Sequence, residues 1–179
     1  MVKQDGTKLD TLSGEDTRPT LDRVKEALFN IIQSYIYDAK VLDLFSGSGA
    51  LAIESISRGA KYAISCDNSK KAIQIIKTNI QKCHFTEEIE VINKDYKKTL
   101  EDMKDKKFDI IFLDPPYKTD FGIDAIEIIM KNNMLEEEGI VVFETDRENE
   151  YIDSIKEYAN VLNVRKYGRV KLVFVGRKE

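Results

Sequence analysis

After Asp38 the chain alternates short apolar runs with stretches of helical periodicity, and few folds accommodate that rhythm. The runs at 41–45, 62–66, 89–93, 109–113 and 140–144 read as buried strands. Between and after them, 49–58, 69–82, 99–104, 123–132 and 151–158 read as helices, with Ala72, Ile73, Ile76 and Ile80 on one face of the second. An earlier helix follows Thr20, a residue suited to cap it, with Asp22 in its first turn and Val24, Ala27, Leu28, Ile31 and Tyr35 along one side. Strands joined through helices lie parallel, with the helices packed on the sheet. Two final runs, 161–167 and 170–175, flank Gly168 and predict an antiparallel hairpin. The expected fold is α/β: a mainly parallel sheet, helices on both faces and a C-terminal antiparallel hairpin. Residues 1–19 look irregular or weakly extended, and 20–179 are expected to form one domain.

Ligands of such sheets bind where the carboxyl ends of the strands splay apart. The chemistry-bearing residues fall at those ends. The loop from Asp43 to Gly49 follows the first strand, Asp67 the second, Asp95 the third, and Asp114-Pro115-Pro116-Tyr117 the fourth. The proline pair fixes φ twice and removes two backbone donors, so its carbonyls are expected to face a pocket as acceptors. With a carboxylate (Asp114) on one side and an aromatic face (Tyr117) on the other, this is a seat for the amino group of a flipped nucleobase. A plain Pro-Pro turn would explain the prolines and leave Asp114 and Tyr117 without a purpose.

The first loop, Asp43-Leu44-Phe45-Ser46-Gly47-Ser48-Gly49-Ala50, joins a strand to a helix whose N–H groups are free. Asp67, 18 residues beyond Gly49, is placed to accept hydrogen bonds from both ribose hydroxyls. Gly47-x-Gly49-x-x-Ala52 followed by Asp67 also fits a dinucleotide fingerprint, so an NAD-dependent oxidoreductase is a competing reading. Asp43 favours another ligand, because its carboxylate would repel a pyrophosphate but receive the ammonium of an amino acid. An adenosine carrying a methionine-like tail, S-adenosylmethionine, suits ribose acid, glycine loop and ammonium acceptor together. Asp95 is then placed either to accept the adenine amino group or simply to cap a helix.

Charge and cysteine content remove other classes. A net charge of −4 argues against a protein that coats nucleic acid non-specifically. From Arg165 to Lys178, however, Arg165, Lys166, Arg169, Lys171, Arg177 and Lys178 meet no acid. That run is either a solvated strand face or a phosphate-contacting edge. Cys66, Cys83 and the single His84 cannot build a usual zinc site or a disulfide framework, so no metal and reduced thiols are expected. No apolar stretch approaches the ~20 residues of a membrane span, and the polar first fourteen residues do not read as a secretory leader. A cytoplasmic location is expected.

Several longer stretches resemble one family. Thr17-Arg18-Pro19-Thr20 with Asp22-Arg23-Val24-Lys25-Glu26-Ala27-Leu28-Phe29-Asn30, the Asp43 loop, Ser57-Arg58-Gly59-Ala60, 108–117, Glu144-Thr145-Asp146 and Lys166-Tyr167-Gly168 resemble the bacterial methyltransferases that act on guanine N2 of 16S ribosomal RNA (RsmD type). These are class I S-adenosylmethionine-dependent enzymes with a Rossmann-like sheet. The Asp-Pro-Pro-Tyr element alone is shared with adenine-N6 and cytosine-N4 methylases; joined to the Arg-Pro-Thr helix entry it is more specific. Phe45 stands where class I loops usually carry the first of three glycines, as it does in this family. The short, mildly basic N-terminus departs from the basic leading segment usual there.

The resemblance implies a catalytic set of Asp114, Pro115, Pro116 and Tyr117. It implies contacts to S-adenosylmethionine from Asp43, Phe45, Gly47, Ser48, Gly49, Asp67 and Asp95, with Arg18 and Thr20 closing over its methionine end. Lys166, Tyr167, Arg169 and Lys171 are the expected RNA contacts, although a tyrosine at 167 is more often simply a packed residue. The implied partner is small-subunit ribosomal RNA, presented as an assembled particle to a monomeric enzyme. A DNA adenine-N6 methylase would share the Asp114 element but normally needs extra mass to read base edges, and no insertion here could form it. A non-catalytic RNA-binding assembly factor would leave the quartet unexplained.

Overall fold

The computed structural model describes residues 6–12 and 19–178. Arg18 and the Thr20 side chain, both expected at the methionine end of the donor, lie outside the described residues, as does most of the segment 1–19. The chain folds in the order α1 (Pro19–Ile31), α2 (Gln33–Ile36), β1 (Lys40–Asp43), α3 (Ala50–Ser57), β2 (Tyr62–Asp67), α4 (Lys70–Lys82), β3 (Ile89–Asn93), α5 (Tyr96–Asp102), β4 (Phe108–Leu113), α6 (Phe121–Lys131), β5 (Leu135–Thr145), α7 (Glu148–Tyr158), β6 (Ala159–Tyr167) and β7 (Val170–Arg177). Among the described residues one seven-stranded sheet runs β3-β2-β1-β4-β5-β7-β6. Strands β1 to β5 pair in parallel, and β7 runs antiparallel to both β5 and β6. The α/β sheet with a C-terminal hairpin is thus as expected, with β7 inserted between β5 and the edge strand β6.

Strand alternation divides the core in two. Val41, Ile110, Phe112 and Val142 face α1, α3 and α4, while Leu42, Ile111, Leu113, Val141 and Phe143 face α5, α6 and α7. Phe29 of α1 meets Phe112 with ring centroids 6.0 Å apart, which fixes α1 over the middle of the sheet. Burying one such ring contributes about 1.5–3 kcal/mol. The buried Glu54 of α3 is bridged to Arg58 (2.7 Å) and to Lys25 of α1 (3.6 Å), so its charge is not left alone under the helices.

Several boundaries differ from the sequence expectation. Helix α1 takes in Pro19 and Thr20, so Thr20 lies inside the first turn rather than capping it; proline suits a first helical position because its missing N–H has no helical partner there. Strand β1 stops at Asp43, because Leu44 and Phe45 already turn: the Ser46 N–H reaches across to the Cys66 carbonyl at 2.9 Å. Helix α5 begins at Tyr96 rather than 99, held open by Asp95 at its cap. Strand β5 starts at Leu135, hidden in the sequence by Glu136, Glu137 and Glu138. A register irregularity between Phe108 and Ile110 lets these glutamates bulge outward.

Candidate active site

The strand order reverses between β1 and β4: β2 and β3 lie to one side, β5 and the hairpin to the other. A crevice at the carboxyl ends of two such strands is where an open α/β sheet receives ligands. Asp43 ends β1, and Asp114 directly follows β4.

Asp43 is fully buried, and among the described residues neither carboxylate oxygen has a hydrogen-bond partner. Burial pushes its pKa from the ordinary 3.8 up to about 7; the Ser46 hydroxyl and the Phe45 N–H, close by but outside full hydrogen-bond geometry, pull the other way, and the Asp67 charge adds slightly to the rise. An orphaned carboxylate at the root of a glycine loop fits a cationic ligand group better than a phosphate.

The loop beyond it is shaped by backbone. Gly47 and Gly49 have φ of +57° and +81°, a left-handed region costly for residues with a Cβ. Gly49 immediately precedes α3, and a Cβ on it would sit 3.2 Å from Ile76 Cγ2. The Gly47 N–H donates to Asp67 Oδ2 (3.0 Å), and the Ser69 N–H donates to Asp67 Oδ1 (2.9 Å). Asp67 therefore ties the loop to the end of β2 as well as presenting lone pairs outward. Ser48 is buried, and its carbonyl accepts from Asn79 Nδ2 (2.9 Å).

Asn79 was missed in the sequence. It also donates to the Asp10 carbonyl (2.9 Å) and accepts from the Asp10 N–H (2.7 Å), while Lys82 bridges Asp10 at 2.6 Å. One amide thereby joins the glycine loop, α4 and the N-terminal segment. The available signal was a polar residue on the apolar stripe of Ile73, Ile76 and Ile80.

Asp95 caps α5: its Oδ1 accepts from the Lys97 and Lys98 N–H groups at 2.9 and 3.4 Å. The capping reading therefore holds, and the exposed side chain remains at the end of β3 for an adenine contact. Phe45 is half-buried against Tyr96 (centroids 5.4 Å), which meets Phe121 (5.1 Å), so an aromatic row borders the same edge.

On the β4 side, Pro115 is buried while Asp114, Pro116 and Tyr117 are exposed, Tyr117 to 56%. An exposed tyrosine ring beside a carboxylate can serve as a stacking surface. The expectation that both proline carbonyls face the ligand is corrected in part: the Pro116 carbonyl accepts from the Thr119 hydroxyl (2.7 Å) and closes the turn. Burial, followed by the carboxylates of Glu144, Asp114 and Asp146, raises the pKa of the Tyr117 hydroxyl. Glu144, at the end of β5, is itself pushed up to about 7 by burial.

The hairpin tip reaches the same edge of the sheet, because Lys171 of β7 pairs with Thr145 of β5. Lys166 and Arg169 are exposed and Lys171 half-buried, whereas Tyr167 packs against the α1-side core. The structure thus sets Asp43, the glycine loop, Asp67, Asp95 and the Asp114 quartet at the carboxyl ends of the sheet, with the basic tip on the far side of β5. Two surface cavities, of about 470 and 420 Å³, are lined by residues such as Lys40, Lys107, Tyr35 and Glu138 at the opposite, amino ends of the strands. Their linings contain none of the expected catalytic, donor-binding or RNA-binding residues. Among the described residues no cluster of His, Cys, Asp or Glu could hold a metal ion, and both cysteines are free and buried. No described helix is long and apolar enough to cross a membrane.

Known proteins share both sequence and architecture. The chain is 40% identical to the Bacillus subtilis protein YlbH over 152 residues, covering 84% of this chain and 83% of that one. It is 38% identical to the ribosomal RNA small subunit methyltransferase D of Haemophilus influenzae, covering 82% and 77%. The solved structure of Escherichia coli yhhF superposes with a TM-score of 0.85 at 29% identity, covering 97% of this chain and 93% of that one. A family model described as Conserved hypothetical protein 95 matches residues 3–176. With that match spanning nearly the whole sequence, the chain belongs to the Conserved hypothetical protein 95 family, the RsmD-type family that its motifs resemble.

Proposed function

We propose that this protein transfers a methyl group from S-adenosylmethionine to the exocyclic N2 amine of a guanine in small-subunit ribosomal RNA. The observation that carries the reading is the pair of sites across the strand-order reversal. A buried, unpartnered carboxylate (Asp43) suits the donor's ammonium on one side, and a carboxylate–proline–aromatic seat (Asp114 to Tyr117) suits a planar amine on the other. The kinship with proteins named for ribosomal RNA methylation supports the substrate class.

The bound donor supplies an electrophilic methyl on a sulfonium; the protein supplies position. Asp43 holds the ammonium, the Gly47–Gly49 backbone lies along the tail, and Asp67 and Asp95 present acceptors to ribose and adenine. Guanine N2 is a poor nucleophile because its lone pair is delocalised into the ring. Asp114 and the Pro115 carbonyl, accepting its two hydrogens, turn that lone pair toward the methyl and stabilise positive charge developing on nitrogen. Asp114 takes up the proton after transfer, or passes it to water. Tyr117 stacks on the extruded base. Alignment of this kind removes roughly 7–11 kcal/mol of barrier. Lys166, Arg169 and Lys171 contact phosphate and so orient the RNA without reading its sequence. The enzyme acts as a cytoplasmic monomer on an assembled particle, which presents the base to a domain with few base-reading elements.

The test uses isotopically labelled S-adenosylmethionine and unmodified small ribosomal subunits, with the labelled nucleoside identified by mass spectrometry. Labelled N2-methylguanosine is expected with the wild-type protein and not with Asp114→Ala. Label in another base would keep the methyltransferase and overturn the substrate. Binding of NADH but not S-adenosylhomocysteine would revive the oxidoreductase.

A further inference from the structure

The sheet sets Glu144 beside Asp114. Parallel pairing aligns Phe112 with Val142 and Leu113 with Phe143. Phe112 and Val142 both face the α1 side, whereas Phe143 faces the other way, 5.8 Å from the Tyr151 ring. Glu144 is the next-to-last residue of β5 and Asp114 directly follows β4, each two residues beyond the paired Phe112 and Val142, so the two come off the carboxyl ends of neighbouring strands. They are differently placed in depth: Asp114 is exposed and Glu144 is mostly enclosed. Among the charges acting on the Tyr117 hydroxyl, Glu144 comes first, ahead of Asp114 and Asp146. The aromatic platform therefore has Glu144 at its rim as well as Asp114, with Asp146 acting more weakly.

One carboxylate and one carbonyl suffice to hold an amine, so the second carboxylate has a different use. The bases that carry an exocyclic amine differ in the ring atom beside it. Adenine N1 and cytosine N3 offer a lone pair there, whereas guanine offers N1–H. An ionised carboxylate facing that position accepts from guanine and repels the other two. Resting on the guanine-N2 reading of the site, we propose that Glu144 is its specificity-determining residue. Its carboxylate accepts the N1–H of the flipped guanine while Asp114 and the Pro115 carbonyl hold the N2 amine. Rejection is the stronger half of this selection, because a lone pair driven against an enclosed carboxylate leaves both groups unpaired.

The decisive probe is 2-aminopurine, which keeps the N2 amine but carries an acceptor at N1. Small subunits are assembled with either guanine or 2-aminopurine at the methylated position. Wild type is expected to methylate guanine roughly tenfold or more faster, the order of discrimination one good base-edge contact supplies. Glu144→Gln is expected to shrink that ratio several-fold with S-adenosylhomocysteine binding retained, because its amide can donate to the 2-aminopurine N1. A structural role would lower both rates together and leave the ratio alone. If Glu144→Gln loses S-adenosylhomocysteine binding, Glu144→Ser is measured in its place. Equal wild-type rates on the two bases, or an unchanged ratio in the folded variant, overturn the assignment while leaving guanine-N2 methylation standing. Absence of N2-methylguanosine from wild type on guanine-bearing subunits overturns both.

Discussion

A carboxylate sealed from water without a partner is a standing cost, and Asp43 carries that cost at the centre of the sheet. Its folded pKa of about 7 lies above the ordinary 3.8. Well below pH 3.8 both folded and unfolded chains hold the proton and nothing is lost. As pH rises toward 7 the unfolded chain ionises first, so stability falls, and above 7 the full deficit of roughly 4 kcal/mol is present. Glu144, raised from 4.5 to about 7, acts with the same sign. Thermal unfolding midpoints should therefore decline from pH 5.5 to pH 8, and Asp43→Asn should flatten that decline. The same substitution should weaken S-adenosylhomocysteine binding by tenfold or more, as expected when a charge-assisted contact of about 1.5–3 kcal/mol is removed. Calorimetric titration checks both, because the ligand should stabilise wild type more at pH 8 than at pH 6. Methylation should rise over the same interval as Glu144 ionises, with Asp114 and Asp146 sharing its action on the Tyr117 hydroxyl and Lys171 one register step beyond on β7. The positions of Asp43 and Asp114 at the carboxyl ends of β1 and β4 were legible in the sequence, because each follows an apolar strand run. Glu144 entered only through the family resemblance of Glu144-Thr145-Asp146, with no role of its own, and Asn79 looked like an imperfection in an apolar stripe.

Elements hold the site through a few close approaches. Gly122 lies where α6 crosses β5, and a Cβ there would overlap the Phe143 ring. Gly122→Ala should destabilise the protein by about 1–3 kcal/mol, because a close-packed core cannot absorb a methyl against an aromatic edge. Denaturant unfolding measures this directly. The hairpin formed by β6 and β7 carries a separate expectation. Replacing Lys166 and Arg169 with alanine should weaken binding to small-subunit RNA and reduce its log–log salt slope by roughly one to two. S-adenosylhomocysteine affinity should be unchanged, since the tip lies beyond β5 and away from the Asp43 loop. The alternation of elements was readable from hydrophobic period alone. Their ends were not: proline extended α1, Asp95 started α5 early, and a glutamate-bearing bulge concealed the first half of β5.

At the scale of the molecule, the acidic body and basic tip divide the work. On the proposed function, a net charge of −4 keeps the protein from clinging to nucleic acid at large, and the lysines and arginines of the hairpin concentrate attraction at one corner. The sequence indicated the hairpin but not that its second strand would be inserted beside β5, which is what brings that corner to the edge bearing Asp114 and Glu144. Insertion order follows from three-dimensional pairing, and no local pattern records it.

The reversal of strand order also sets a timetable. Every residue assigned to the donor side lies at or before Asp95, and every residue assigned to the base side lies at or after Asp114. The two halves are joined edge to edge by the ladder that pairs Val41, Leu42 and Asp43 with Ile110, Ile111 and Phe112. A nascent chain that has emerged only as far as β3 lacks the strand that belongs beside β1. It cannot align a methyl group with anything until β4 has left the exit tunnel and slid into place. On the proposed function, the protein is thus unable to act on the RNA of the ribosome while its own synthesis is half finished.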